Sequence, residues 1–258
     1  MTTPEVLVHR DAATLAAAVA ARLVTRVVDA QAAYGHASVC LTGGRIGTAS
    51  LAALAASPAR DAIDWSSIHL WWGDERFVPE GDAERNDTAA REALLDHVPV
   101  PAEHVHAMPS LVPGLDVDEA AARYAEELRR ASRPEDHGPV PTFDVCLLGI
   151  GEDGHVASLF PQQPAVHESE RSAVGVHGSP KPPPERVTLT FPALTASREV
   201  WILGSGSAKA DPVRLALSDA GPMQVPAAGA RGRERTLFLL DEDAAASIPT
   251  KLRRIASP

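Results

Sequence analysis

The segment Phe143-Asp144-Val145-Cys146-Leu147-Leu148-Gly149-Ile150-Gly151-Glu152-Asp153-Gly154-His155-Val156-Ala157-Ser158-Leu159-Phe160-Pro161 sets the architecture of the chain. Val145 to Leu148 is an unbroken apolar run, too short for a helix and flanked by turn residues. It reads as a central parallel strand covered on both faces. The run breaks into a turn with glycine at 149, 151 and 154, and glycine allows the backbone unusual conformations and close approach to a ligand. In α/β sheets ligands bind at the carboxyl ends of strands. The turn therefore delivers Asp153 and His155 to a strand mouth. An imidazole titrates near neutral pH, which suits a general base, and a histidine in such a turn is poor core material. For Asp153 two readings stay open: a carboxylate that orients the ring or positions water, and an Asx-type turn former.

Upstream, Asp11 caps a long alanine-rich helix to about Tyr34, with Leu15, Val19, Leu23 and Val27 on one face and Gly35 as the stop. Ala37 to Leu41 reads as a strand, Thr42-Gly43-Gly44 as a turn, and Ile46 to Ala56 as a helix. A strand at Ile68 to Trp72 ends in Gly73-Asp74-Glu75-Arg76. Asn86 or Asp87 then caps a helix through about His97. Val98 to Leu115 is proline-punctuated and irregular, a helix covers Asp118 to Arg130, and Arg133 to Pro141 is a polar connection. Downstream, Ala173 to Val176 and Val187 to Leu189 are short strands around the stiff Ser179-Pro180-Lys181-Pro182-Pro183-Pro184 loop. Val200 to Leu203 is a further strand, opening into Gly204-Ser205-Gly206-Ser207-Ala208-Lys209 and a helix to about Ser218. Thr236 to Leu240 gives a last strand before an acidic turn and a C-terminal helix. Alternating strands and helices predict one α/β domain over residues 1–258, Rossmann-like, with a mostly parallel sheet and helices on both faces.

The 258 residues carry a formal net charge of −10, which opposes binding to nucleic acid or an anionic membrane. A phosphate ligand then needs a local basic cluster. Cys40 and Cys146, the two cysteines, lie in apolar strand-like runs and behave as small hydrophobes. No apolar stretch approaches the roughly 18 residues of a membrane span, and no basic segment precedes an apolar leader, so the expected location is the cytoplasm. The nine histidines other than His155 show no metal-ligand spacing, and no metal site is expected.

Four strand ends, Thr42 to Arg45, Gly73 to Arg76, Gly149 to His155 and Gly204 to Lys209, share one edge of a parallel sheet and converge on one cleft. Gly43 and Gly44 have free backbone N–H groups for a phosphate at a helix start, although a Gly-Gly turn also serves as a plain connection. Arg45 favours the anion-binding reading. Asp74, Glu75 and Arg76 emerge from the core behind Trp71 and Trp72, where Arg76 can meet an oxyanion or hold a carboxylate. Lys181, Arg186 and Lys209 are the candidates for phosphate contacts. Asp211-Pro212 places the next helix start after Asp211, with Lys209 ahead of it.

Leu41-Thr42-Gly43-Gly44, Trp72-Gly73-Asp74-Glu75-Arg76-Phe77-Val78-Pro79, Asn86-Asp87, the Gly149 to Pro161 segment and Arg186-Val187-Thr188-Leu189-Thr190 together resemble the 6-phosphogluconolactonase family. They are also similar to segments of glucosamine-6-phosphate deaminase, which shares the fold. The resemblance spans nearly the whole chain and implies the glucosamine-6-phosphate deaminase/ribose-5-phosphate isomerase type of fold. It further implies hydrolysis of 6-phosphoglucono-1,5-lactone in the oxidative pentose phosphate pathway, with no metal and no organic cofactor. On matching positions it makes His155 the base that activates water, with Asp153 nearby and Arg76 in the cleft. Gly43, Gly44, Lys181, Arg186 and Lys209 face the phosphate. Arg45-Ile46-Gly47 departs from the Ser-Thr-Pro of many relatives, adding a cation and losing a hydroxyl. The expected partner is a phosphorylated sugar lactone, the chain acting as a monomer or small homo-oligomer. The nearest rival is an isomerase or deaminase of amino-sugar phosphates, with Asp74 moving a proton between carbons. A non-catalytic sugar-phosphate sensor, which would not need His155, is a rival of another class.

Overall fold

The computed structural model describes residues 2–136, 138–218 and 220–257, so that His137 lies outside the description. Its strands are β1 (Glu5–His9), β2 (Ala37–Leu41), β3 (Ile68–Trp72), β4 (Asp74–Arg76), β5 (Val145–Gly149), β6 (Ala173–Val176), β7 (Arg186–Leu189), β8 (Glu199–Gly204), β9 (Arg235–Asp241) and β10 (Arg253–Ser257). Its α-helices are α1 (Ala12–Tyr34), α2 (Gly44–Ala56), α3 (Asn86–Ala93), α4 (Val117–Ala131), α5 (Phe191–Thr195) and α6 (Ala210–Ala216).

Seven strands pair in parallel in the order β10-β1-β9-β8-β5-β2-β3. Every residue of β2 and the first four of β5 are buried, so the sheet is covered on both faces at its centre. That cover is why these strands read as unbroken apolar runs rather than alternating ones. From β2 the chain proceeds outward to β3, whereas from β5 it next joins this sheet on the opposite side, at β8. The two departures diverge between neighbouring strands and leave a crevice at their carboxyl ends.

The long helix obeys its sequence signals. The Asp11 carboxylate accepts the Thr14 N–H at 2.7 Å, and Gly35 stops α1 at φ 77°, a left-handed conformation that favours glycine. Leu15, Val19, Leu23 and Val27 are buried beneath it, and truncating Leu23 to alanine would cost about 2–5 kcal/mol.

Gly73 transfers the chain between two sheets. Its N–H still bonds Leu41 in the parallel ladder (3.0 Å), while its carbonyl accepts the Leu189 N–H (2.8 Å). Asp74–Arg76 then forms β4 at one edge of a three-stranded antiparallel sheet, β4-β7-β6. The charged residues expected at a loop-like strand end are thus in a strand.

Three other expectations need correction. The C-terminal segment is not a helix: after turns and a short 3-10 helix at Thr250–Leu252, Arg253–Ser257 adds β10 alongside β1. Pro249 cuts the alanine run 244–246 before it completes two turns, and β1 offers an unpaired edge. The strand β1, not expected from the sequence, lies between β9 and β10. Helix α3 ends at Ala93 rather than His97, with a separate 3-10 turn at Leu95–His97, and neither Asn86 nor Asp87 is its cap. Arg85 holds the N-cap position without a side-chain bond, because a carboxylate from β4 does the capping.

Candidate active site

A cleft of about 280 Å³ opens at the crevice between β2 and β5. Its walls bring together Gly43, Gly44, Asp74, Arg76, His155, Lys181, Arg186 and Lys209. The two glycine turns are tied across the crevice by the Thr42 hydroxyl, which accepts the Gly149 N–H at 3.2 Å.

His155 and Asp153 form a pair. Asp153 Oδ1 lies 2.5 Å from His155 Nδ1 and also accepts the His155 backbone N–H at 3.3 Å, so one carboxylate oxygen meets both the ring and the turn backbone. Burial opposes ionisation of Asp153, but hydrogen bonds and charge from His155, with help from Lys181, outweigh it and hold its pKa at about 2. An ionised Asp153 can only accept a hydrogen bond, so Nδ1 carries the ring hydrogen and donates it, leaving the lone pair on Nε2. The pair needs Gly151, where a Cβ would lie 2.0 Å from His155 Nδ1 and 2.6 Å from Asp153 Oδ1. Phe160 stands beside the imidazole, with ring centroids 4.6 Å apart.

Opposite this pair, Asp74 is buried. Its Oδ2 accepts the Ser158 hydroxyl at 2.6 Å and lies 4.0 Å from Arg186 Nη1. Arg76 Nη1 donates to the Glu84 carbonyl (3.0 Å) and to Asn86 Oδ1. Sequence reasoning took Asn86 for a helix cap and met Ser158 only inside the Gly149 to Pro161 segment; neither was given a place in the site, because each holds it through partners distant along the chain.

The basic corner is built from loops. Arg186 folds back over the proline segment and donates to the carbonyls of Lys181 (3.1 Å), Pro182 (3.0 Å) and Pro183 (3.3 Å). Ser179 Oγ bonds the Lys181 carbonyl at 2.8 Å, and Ser179 N donates to Pro184 O at 2.9 Å. Arg186 is therefore as much a clamp on the Lys181 loop as a cleft residue. Helix α6 begins at Ala210, before Asp211 rather than after it, so Lys209 still precedes the helix; it follows Gly206, whose φ is 91° and whose N–H donates to Asp241. Burial lowers the Lys209 pKa; Glu152 and Asp153 pull it back, while Lys181 and Arg45 press it further down. Arg45, expected in the cleft, instead sits on the first turn of α2 and lines an adjoining groove with Thr48 and Glu84. Its charge reaches the corner without its side chain lining it.

A second cleft of about 280 Å³ lies at the amino ends of β2 and β3, between Trp71, Arg133 and Arg198. Its buried carboxylate, Asp144, is engaged by Arg198 (3.3 Å) and the Ser38 N–H (2.9 Å), and no glycine turn reaches it. Among the described residues no group of three or more His, Cys, Asp or Glu is placed to hold a metal ion.

The family model described as glucosamine-6-phosphate isomerases/6-phosphogluconolactonase matches residues 10–239. The chain belongs to this family. Within it, a 6-phosphogluconolactonase of Streptomyces coelicolor is 62% identical over 257 residues, covering 99% of this chain and 98% of that protein. One from Mycobacterium tuberculosis is 52% identical over 242 residues, covering 93% and 96%. Among solved structures, a 6-phosphogluconolactonase from Trypanosoma brucei superposes with a TM-score of 0.83 at 28% identity, over 96% of this chain and 100% of that one. A monomeric glucosamine-6-phosphate deaminase superposes at a TM-score of 0.77 with 17% identity, covering 95% and 100%, a likeness of fold alone.

Proposed function

We propose that this protein hydrolyses 6-phospho-D-glucono-1,5-lactone to 6-phospho-D-gluconate, in the oxidative pentose phosphate pathway and in the cytoplasm. The observation that carries the reading is the His155–Asp153 pair facing Arg76 across a cleft with a basic corner. The family relatives named 6-phosphogluconolactonase, similar over nearly the whole chain, support it. No helix among the described residues is long and apolar enough to cross a membrane.

In this reading Lys181 and Lys209, with backbone N–H groups at the start of α2, hold the phosphate and fix the reacting carbon. His155 Nε2 takes a proton from water as its oxygen attacks the lactone carbonyl. Asp153 steadies the imidazolium that forms. Charge develops on the carbonyl oxygen, where Arg76 donates. The tetrahedral intermediate collapses with cleavage of the bond to the ring oxygen, which recovers the proton from His155. One water is consumed, and the carboxylic acid so formed ionises, releasing one proton to solvent and leaving the carboxylate as product. No covalent enzyme intermediate is needed.

Asp74 bears on the deaminase alternative. Its carboxylate is engaged by Ser158 and faces Arg186, an arrangement suited to holding the site rather than shuttling protons between carbons. The test is turnover of freshly generated lactone with the spontaneous rate subtracted. Fast hydrolysis is expected; a folded protein no faster than background would overturn the proposal, and release of ammonia from glucosamine 6-phosphate would replace it.

A further inference from the structure

The two glycines of the β2 turn are glycine for different reasons. Gly44 has φ 77° with nothing within 4 Å of a built Cβ, so its backbone alone demands glycine. Gly43 has φ −83° and an extended backbone open to other residues. What excludes a side chain there is Asn86: a Cβ on Gly43 would lie 1.8 Å from Asn86 Oδ1 and 2.3 Å from its Cγ.

The seated amide is held at both ends. Asn86 is buried; Oδ1 accepts from Arg76 Nη1 and Nδ2 donates to the Asp74 carbonyl at 2.8 Å. Its backbone is held from the neighbouring strand, since Glu75 Oε1 accepts the N–H of Asn86 (2.7 Å) and of Arg76 (2.8 Å), and Oε2 that of Asp87 (2.9 Å). Arg85 lies 3.8 Å from the same carboxylate. Glu75 thus caps α3 from outside and sets where Asn86 stands. Arg76 Nη1 is occupied by Asn86 and Glu84, and among the described residues no partner holds Nη2, which leaves that nitrogen to donate to substrate.

We infer that Asn86 is a positioning residue that fixes the plane of the Arg76 guanidinium at the developing oxyanion, and that Gly43 is glycine in order to seat the Asn86 amide. The role in turnover rests on the lactonase reading; the fixing of the guanidinium does not. Orientation acts on the transition state more than on the bound phosphate.

A double-mutant cycle in the full-length protein tests it. Asn86→Ala is expected to lower kcat about ten- to a hundredfold, the range for a lost hydrogen bond to a charged group, with KM within about twofold. Gly43→Ala should fall as far, because its methyl displaces the amide. The Gly43→Ala/Asn86→Ala double variant, which has room for that methyl, should be no worse than the worse single variant. Losses that multiply, or a raised KM with kcat unchanged, would overturn the role. A second readout is independent of the reaction: ¹⁵N-detected rotation of the Arg76 guanidinium, slow in the wild type and faster in Asn86→Ala. Equal rotation in both would overturn the fixing even if the lactone is turned over. Slowed rotation in a wild type that does not hydrolyse lactone would sink the reaction and leave the fixing standing.

Discussion

Two carboxylates near the cleft have similar partners and opposite fates. Asp153 has a backbone N–H and His155; Glu75 has three backbone N–H groups and Arg85. Yet Asp153 is pulled down to about 2, while burial drives Glu75 up to about 7 against Arg85 and the N–H donors. Depth separates them: the Asp153 side chain is 35% exposed and that of Glu75 1%. A half-exposed carboxylate keeps its charge cheaply and can steady a proton on a neighbour. A dry one must be matched by several fixed donors, and it serves as a joint between β4 and α3.

If that division is right, variants at the two sites should fail in different ways. The largest effect belongs to His155→Ala, which should lower kcat by about 10²–10⁴-fold while thermal unfolding stays near wild type. A fully active variant would refute the base. Glu75→Ala should show the reverse order, costing about 3–5 kcal/mol in urea unfolding because it leaves three N–H groups without their acceptor and removes a carboxylate beside Arg85, which keeps Asp87 as its anionic partner. Normal stability there would remove the joint.

Lys181→Ala is expected to raise KM by about ten- to a hundredfold with kcat less affected, an effect that shrinks as salt is added. An unchanged KM would take the residue out of the phosphate corner.

The smallest effects are in pH. Glu75 binds a proton more tightly folded than unfolded, so its contribution to stability is present below 4.5 and declines as pH rises through about 7. Asp153 has the opposite sign, contributing above 3.8 and losing that contribution as pH falls through about 2. Unfolding free energies of wild type against Glu75→Gln and Asp153→Asn across these windows should diverge in those two directions. A common direction would dissolve the contrast.

Much of this division was legible in the sequence, and the illegible part has a pattern. His155, Asp153 and their glycines lie within seven residues, so a strand followed by a turn placed them together. Lys209 could be named because strand ends in a parallel sheet share an edge, and Lys181 because it is a cation on a proline-stiffened loop of an acidic chain. The joint could not be named. Glu75 meets Asn86 eleven residues away, Asp74 meets Ser158 across 84, and no periodicity encodes either pairing. The three residues of β4 are likewise too few to announce a second sheet, and nothing in their run of charge told that Asp74 and Glu75 would be buried. Asn86-Asp87 looked like a cap because those residue types usually are; here the first turn of α3 borrows its acceptor from elsewhere.

The proline segment carries one more consequence. Arg186 closes on three successive carbonyls, and Ser179 reaches across to Pro184, so residues 179–186 form a ring laced by its own hydrogen bonds. A ring of that kind counts its members. One residue inserted or deleted inside it should unlace the loop and release Lys181, whereas added length on the His177 side, before the lacing begins, should pass unnoticed. Over evolutionary time this stretch should vary in composition far more readily than in length.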